Sequence, residues 1–199
     1  MLRRSPITFA FLASAAALFT VPACRDATAP ASCGQARSLD SLLRIAPDTG
    51  VGTIDDQWAA IARWVPGGWG GFFLDSTGHP TVYLVHPERQ QDALADLYAL
   101  GIGKPFYDVR TAQVRQGRWD FAQLYDWYRY INARWSEHVI SHALALNGGV
   151  YFTDIDEVRN RLAYGVDTTA KVDLEAVLAT LQPPCALVTV FVATPDVPD

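Results

Sequence analysis

Positive charge is scarce in this chain. Among 199 residues, 16 are Lys or Arg and 21 are Asp or Glu, a formal net charge of −5. The basic residues form no stripe, which argues against a nucleic-acid partner. Cysteine is scarcer: Cys24, Cys33 and Cys185 are the whole set, and a metal site built on two of them has no His or Cys nearby in sequence to complete it. No apolar run makes a comfortable transmembrane helix, because the one candidate, Ile7 to Val21, is too short. The sequence holds no Gly-x-Ser-x-Gly elbow, no Gly-centred twelve-residue calcium loop and no His-Glu-x-x-His. Each absence removes a common chemistry: a serine-nucleophile hydrolase, an EF-hand and a zinc protease.

What is present begins with an export signal. Arg3 and Arg4 form a short positive region without acids, and the apolar run follows. It ends in Val21-Pro22-Ala23-Cys24, which resembles a bacterial lipobox. Residues 1–23 therefore read as a lipoprotein signal peptide, with Cys24 lipidated and 24–37 a small, polar, Pro-containing tether. The expected location is the cell envelope, on the periplasmic or extracellular side of a membrane. Ordinary secretion, with Cys24 incidental, is the plainer alternative. Removing 1–23 takes away two arginines and no acid, moving the formal charge to −7. With Cys24 lipidated, Cys33 and Cys185 are left as an even pair in an oxidising compartment, where a disulfide between them is expected.

The remainder reads as α+β. Residues 38–66 form an N-terminal helical segment: 38–46 is amphipathic, and 56–64 follows a cap at Asp55 or Asp56. Residues 67–118 read as strand, turn, strand, helix, strand: Trp69 to Leu74, Ser76-Thr77-Gly78, Pro80 to Val85, a helix from Pro87 to about Leu100, and Tyr107 to Gln113. A linking helix follows over 119–147, capped by Asp120, with 136–147 open to helix or loop. Residues 148–195 repeat the order, with strands at Val150 to Ile155, Arg161 to Val166 and Ala186 to Ala193, and a helix ending near Leu181. The expected architecture is two antiparallel sheets, each with a helix on one face, joined by a helix.

The two halves also match residue by residue. An ungapped shift of 81 lays Gly67-Gly68 on Gly148-Gly149, Asp75 on Asp156, Tyr83 on Tyr164 and Val85 on Val166. Asp92, Ala95, Leu97, Leu100 and Val109 also find identical partners, giving ten identities over positions 67–111. The matched residues are glycines, core apolars and cap-like acids, so any repeat is one of architecture rather than of a catalytic site.

Candidate chemistry is thin. His138 and His142 lie four apart, which on one helix face could begin a metal site, but no third ligand is evident. The blander reading is two histidines on a connecting segment. His79 and His86 bracket a strand and point to opposite faces. Ser136 and Ser141 beside the histidines lack the setting of a nucleophile. Asp154, Asp156, Glu157 and Asp167 could be a calcium cluster, or simply solvated turn acids. The aromatics are dense, with Trp58, Trp64, Trp69, Trp119, Trp127 and Trp135 alongside Tyr125, Tyr128 and Tyr130. They read as core around the linking helix, with a partner- or carbohydrate-contacting surface as the alternative.

A duplicated hairpin, helix and strand resembles the pro-region of secreted bacterial chymotrypsin-like serine proteases of the alpha-lytic type. The resemblance spans about residues 67–193. It is closest over Val150-Tyr-Phe-Thr-Asp-Ile-Asp156-Glu-Val-Arg-Asn-Arg161-Leu-Ala-Tyr-Gly165-Val166 and the helix after it. It implies a segment that binds its protease tightly through the sheet of its second half. No Gly-Asp-Ser-Gly-Gly segment occurs here, so the expected role is a stand-alone, non-catalytic protein-binding module without cofactor or metal. Its partner would be an envelope protein, in the resemblance's terms a serine protease, met by strand addition. The residues expected at that contact are Tyr151, Thr153, Asp156, Arg159, Arg161, Val190 and Phe191. Two alternatives stand beside it: a small metal-binding protein or enzyme using His138 and His142, and a purely structural lipoprotein.

Overall fold

The computed structural model describes residues 52–142 and 149–194, with the backbone alone at 139–142. The signal peptide, the tether, the expected helix over 38–46, Cys24, Cys33 and the segment 143–148 lie outside the described residues. The fold is α+β, with four α-helices and two three-stranded sheets among the described residues.

Helix α1 spans Ile54–Ala62. Its N-cap is Thr53, not Asp55 or Asp56 as the sequence pattern had indicated. Thr53 accepts from the Asp56 N–H, and the Asp56 carboxylate returns a bond to the Thr53 N–H at 2.8 Å. This reciprocal box satisfies donors at both positions, which is why the helix starts two residues earlier than expected. The first sheet holds β1 (Trp69–Leu74), β2 (Pro80–Leu84) and β3 (Gln113–Gln116). Between β2 and β3 runs α2 (Gln90–Ala99), entered through a short 3-10 turn at Pro87–Arg89. Helix α3 spans Phe121–His142. The second sheet holds β4 (Val150–Asp156), β5 (Arg161–Val166) and β6 (Val188–Val192), with α4 (Thr168–Leu181) between the last two.

Two expectations change. Neither sheet is wholly antiparallel: β1–β2 and β4–β5 are antiparallel hairpins, but β3 pairs parallel with β2 and β6 parallel with β5. A helix between two strands carries the chain back to its starting end, so the third strand runs in the direction of the second. The third strand of the first sheet is also later than Tyr107 to Gln113. Asp108 accepts from the Arg110 N–H at 3.0 Å and folds Val109–Thr111 into a 3-10 turn. That local bond outcompetes the strand that alternation alone predicts.

Both sheets have the central strand second in sequence, the same pairing senses, and a register shift at the same place in the first strand. The starts of β1 and β4 and their register shifts lie 81 residues apart, but the spacing changes at the turns. Asp75 closes on His79 in the first hairpin, whereas Asp156 closes on Arg161 in the second, one residue later. Tyr83 therefore pairs with Gly71, while Tyr164 pairs with Thr153 and is fully buried, like Val82 in the first sheet. A one-residue difference in a turn places the two matched tyrosines on opposite faces of their sheets.

One hydrophobic core unites the halves. Trp69, Val82, Leu84 and Leu97 join it from the first unit, and Ile155, Leu162, Tyr164 and Leu174 from the second. Helix α3 is the shared strut. Phe121 packs on Trp69 and Trp58 with ring centroids 5.9 and 5.4 Å apart, and further along Asn132 accepts from the Tyr164 hydroxyl at 3.1 Å. The dense aromatics are thus mostly core, although Trp64 is 84% exposed. No helix among the described residues is long and apolar enough to cross a membrane.

Candidate functional site

The outer face of the second sheet is where exposed aromatic side chains gather. Alternation along β5 sends Leu162, Tyr164 and Val166 into the core and leaves Arg161, Ala163 and Gly165 on the other face. Pairing then sets rows across the sheet. Gly165 lies between Phe152 of β4 and Phe191 of β6. The two rings approach over it, their centroids 6.2 Å apart. A Cβ at Gly165 would sit 3.1 Å from the Phe152 Cβ, from Phe191 Cε2 and from the Ala193 Cβ, so glycine is what lets the rings meet. Phe152 and Phe191 stay 44% and 41% exposed, and Tyr151, in the bulge between Val150 and Phe152 with its ring near Gly149, 45%. The next row is Asp154, Ala163 and Thr189. Beyond it Asp156 pairs with Arg161, whose guanidinium donates to Thr189 Oγ1 at 3.1 Å. One end of the face is aromatic and the other is charged.

The residues expected from sequence divide accordingly. Tyr151, Phe191 and Arg159 are exposed, and Asp156 and Arg161 are half-buried. Thr153 and Val190 both oppose Tyr164 on the core side. The Thr153 hydroxyl is within 3.0 Å of the Tyr128 hydroxyl, and Val190 packs against the core. Their side chains are turned away from the outer face. The backbone of Val190 is another matter. The Ala193 N–H donates to Val166 and the Leu187 carbonyl accepts from Leu162, so the odd-numbered residues of β6 bond to β5. Val188, Val190 and Val192 direct their N–H and C=O groups to the far edge, where no strand pairs among the described residues. Phe152, Asp154 and Gly165 belong to this face and were missed in sequence. A glycine inside an apolar strand was the available signal, but it becomes a site only once the register puts a phenylalanine on each side.

The acids of the second hairpin have structural work. Asp156 accepts from the Arg159 N–H at 3.0 Å and pairs with its guanidinium at 2.8 Å. Asp167 caps α4 through the Ala170 N–H at 2.7 Å and takes the Gly149 N–H at 2.5 Å. Backbone hydrogen bonds from Ala170 and Gly149 hold its carboxyl below the ordinary range. Burial, reinforced by Asp154, Asp55 and Asp156, pushes Glu157 up to about 7. Asp75 is held down at about 2 by bonds from Thr77 and His79.

His79 sits in the first turn with Nδ1 2.7 Å from Thr77 Oγ1, and His86 lies 3.4 Å from Glu88. The His138 ring stacks on Trp135 at 5.8 Å. The side chains of Ser141 and His142 lie outside the described ones. Among the described residues no three His, Cys, Asp or Glu side chains are grouped to hold a metal ion. Cys185 is disulfide-bonded, and the other two cysteines lie outside the described residues.

No family model matches this chain, and neither a curated protein nor a solved structure does.

Proposed function

We propose that this chain is an exported, non-catalytic protein-binding module, tethered to a membrane surface by lipid on Cys24. On this reading the two similar units arose by duplication, and the second has become the binding unit. The observation that carries it is the row Phe152, Gly165 and Phe191, two exposed rings meeting over a glycine beside an unpaired strand edge. Aromatic anchors next to a line of outward N–H and C=O groups suit an extended segment of another protein. Its backbone would add to β6 and its apolar side chains would lie against the rings. The pro-region resemblance names the partner class: an envelope or secreted serine protease, bound without being cleaved.

The test uses the exported chain with Cys24→Ser against a panel of trypsin-like and chymotrypsin-like proteases. Slow, stoichiometric inhibition is expected. It is expected to be lost in the double variant Phe152→Ala/Phe191→Ala and in Val192→Pro, which removes one outward N–H, with the melting temperature nearly unchanged. Crosslinking in the native cell then decides between partner classes. If the double variant recovers the same crosslinked proteins as the parent, this face is not the docking surface.

A further inference from the structure

The second hairpin does more than present a face, because its turn is docked on the first sheet. Asn160 sits at the centre of this contact, 5% exposed and in the left-handed conformation at φ 51°. Its side-chain oxygen accepts from the Arg118 and Trp119 N–H groups at 2.8 and 2.9 Å. Its amide nitrogen donates to the carbonyls of Gly70 and Trp119 at 3.2 and 2.8 Å. The Tyr83 hydroxyl of β2 donates to the Val158 carbonyl at 3.0 Å. Glu157 lies over Gly71 so closely that a Cβ there would be 3.1 Å from its Cγ. The turn thus lies against β1, β2 and the segment leading into α3.

Carboxylates from two elements besides the turn itself act on Glu157 at this junction. Asp55 comes from the first turn of α1, Asp154 and Asp156 from β4, and Glu157 from the turn itself. Opposing charge is sparse. The Arg159 guanidinium is taken by Asp156, that of Arg161, opposite Asp156, donates to Thr189, the Arg118 guanidinium donates to the Cys185 carbonyl at 3.5 Å, and β1 offers glycine. Tyr83 contributes a neutral hydroxyl already donated to Val158.

We infer that this turn is a pH-operated latch between the two sheets, tight while Glu157 is protonated and loosened when all four carboxylates are charged. The directions in which burial moves these carboxyls agree. Asp55 and Asp154 are each raised, chiefly by desolvation, and Glu157 is raised to about 7 from an ordinary 4.5. A carboxyl raised in the closed state stabilises that state fully below its ordinary value. The contribution is lost as pH rises from about 4.5 to about 7. The groups held low act elsewhere on the scale: Asp75, at about 2, matters only as pH falls below its ordinary 3.8.

The experiment is amide hydrogen exchange on the full exported chain, corrected for intrinsic rate, from pH 4.5 to 8.5. The amides read are Arg118 and Trp119, which end on Asn160, with Leu124 and Leu174 as core controls. Protection at Arg118 and Trp119 should fall by up to about tenfold per pH unit up to about 7 and then level off. The controls should stay flat. Glu157→Gln, which is neutral at every pH, should abolish the fall. Asp154→Asn should shrink it and end it at lower pH, since one repelling neighbour is gone. A Glu157→Gln profile parallel to that of the parent overturns the latch, as does an equal fall in the core controls.

Discussion

Asn160 spends every hydrogen-bonding group of its side chain on backbone of the first unit and of the segment leading into α3, and no isostere does the same. Asn160→Ala strands two part-buried N–H donors and two carbonyls and forces a Cβ-bearing residue without a local bond into a left-handed site. The expected loss is on the order of 3 kcal/mol in urea unfolding. Asn160→Gly tests which part dominates. Glycine tolerates φ 51°, so a loss within about 1 kcal/mol of the alanine value assigns the effect to hydrogen bonds. Gly70 is the matching position. A Cβ there would lie 2.5 Å from the Trp119 carbonyl oxygen and 2.7 Å from Asn160 Nδ2, both fixed by this network. Gly70→Ala should cost roughly 1–3 kcal/mol, whereas Gly78→Ala, where nothing lies within 4 Å, meets only backbone strain at φ 81°.

Elements show how far sequence reaches. The hairpins, α2 and α4 were legible because their signals are local: Asp75 and Asp156 each bond to backbone within their own turns, and Asp167 caps α4 by itself. What failed was non-local or a contest between local bonds. Nothing within 107–113 tells a strand from an Asp108-capped turn, whereas the Thr53-x-x-Asp56 spacing was a capping-box signal that the two adjacent aspartates obscured. The candidate face was half legible: Tyr151 and Phe191 were found, but Phe152 and Gly165 depend on register, and the longer second turn shifts that register by one residue. The α1 box gives the element-scale prediction. Thr53→Ala should cost about 1 kcal/mol by removing the hydroxyl that receives the Asp56 N–H at 3.2 Å. Asp56 also accepts from the Tyr125 hydroxyl of α3. The Thr53 substitution should therefore loosen the α1–α3 seam as well, seen as faster exchange at Ala59 and Ala62 with α4 unchanged.

For the whole molecule, the cysteines decide how the domain would hang from the proposed lipid anchor. Cys185 lies just before β6, the strand whose far edge is the proposed binding edge, and it is disulfide-bonded. The chain has two other cysteines, Cys24 and Cys33. Lipid and disulfide compete for Cys24, because one sulfur cannot carry both. Lipid anchoring therefore requires the pair Cys33–Cys185. That pair closes a loop around nearly the whole folded chain, and such closure stabilises by roughly 2–4 kcal/mol. Cys33→Ser and Cys185→Ser should each lower stability by this amount, and the double variant should lose no more than either alone. Cys24→Ser should leave stability unchanged and release the protein from membranes. The opposite pattern, with Cys24→Ser as costly as Cys185→Ser and Cys33→Ser silent, would tie the disulfide to Cys24 and exclude the lipid. In the expected arrangement the eight residues between Cys24 and Cys33, rather than the longer path to α1, set the reach from the membrane, at most about 30 Å. That keeps the β6 end of the domain near the surface, so a partner adding to that edge would be one held in the same membrane or passing close along it.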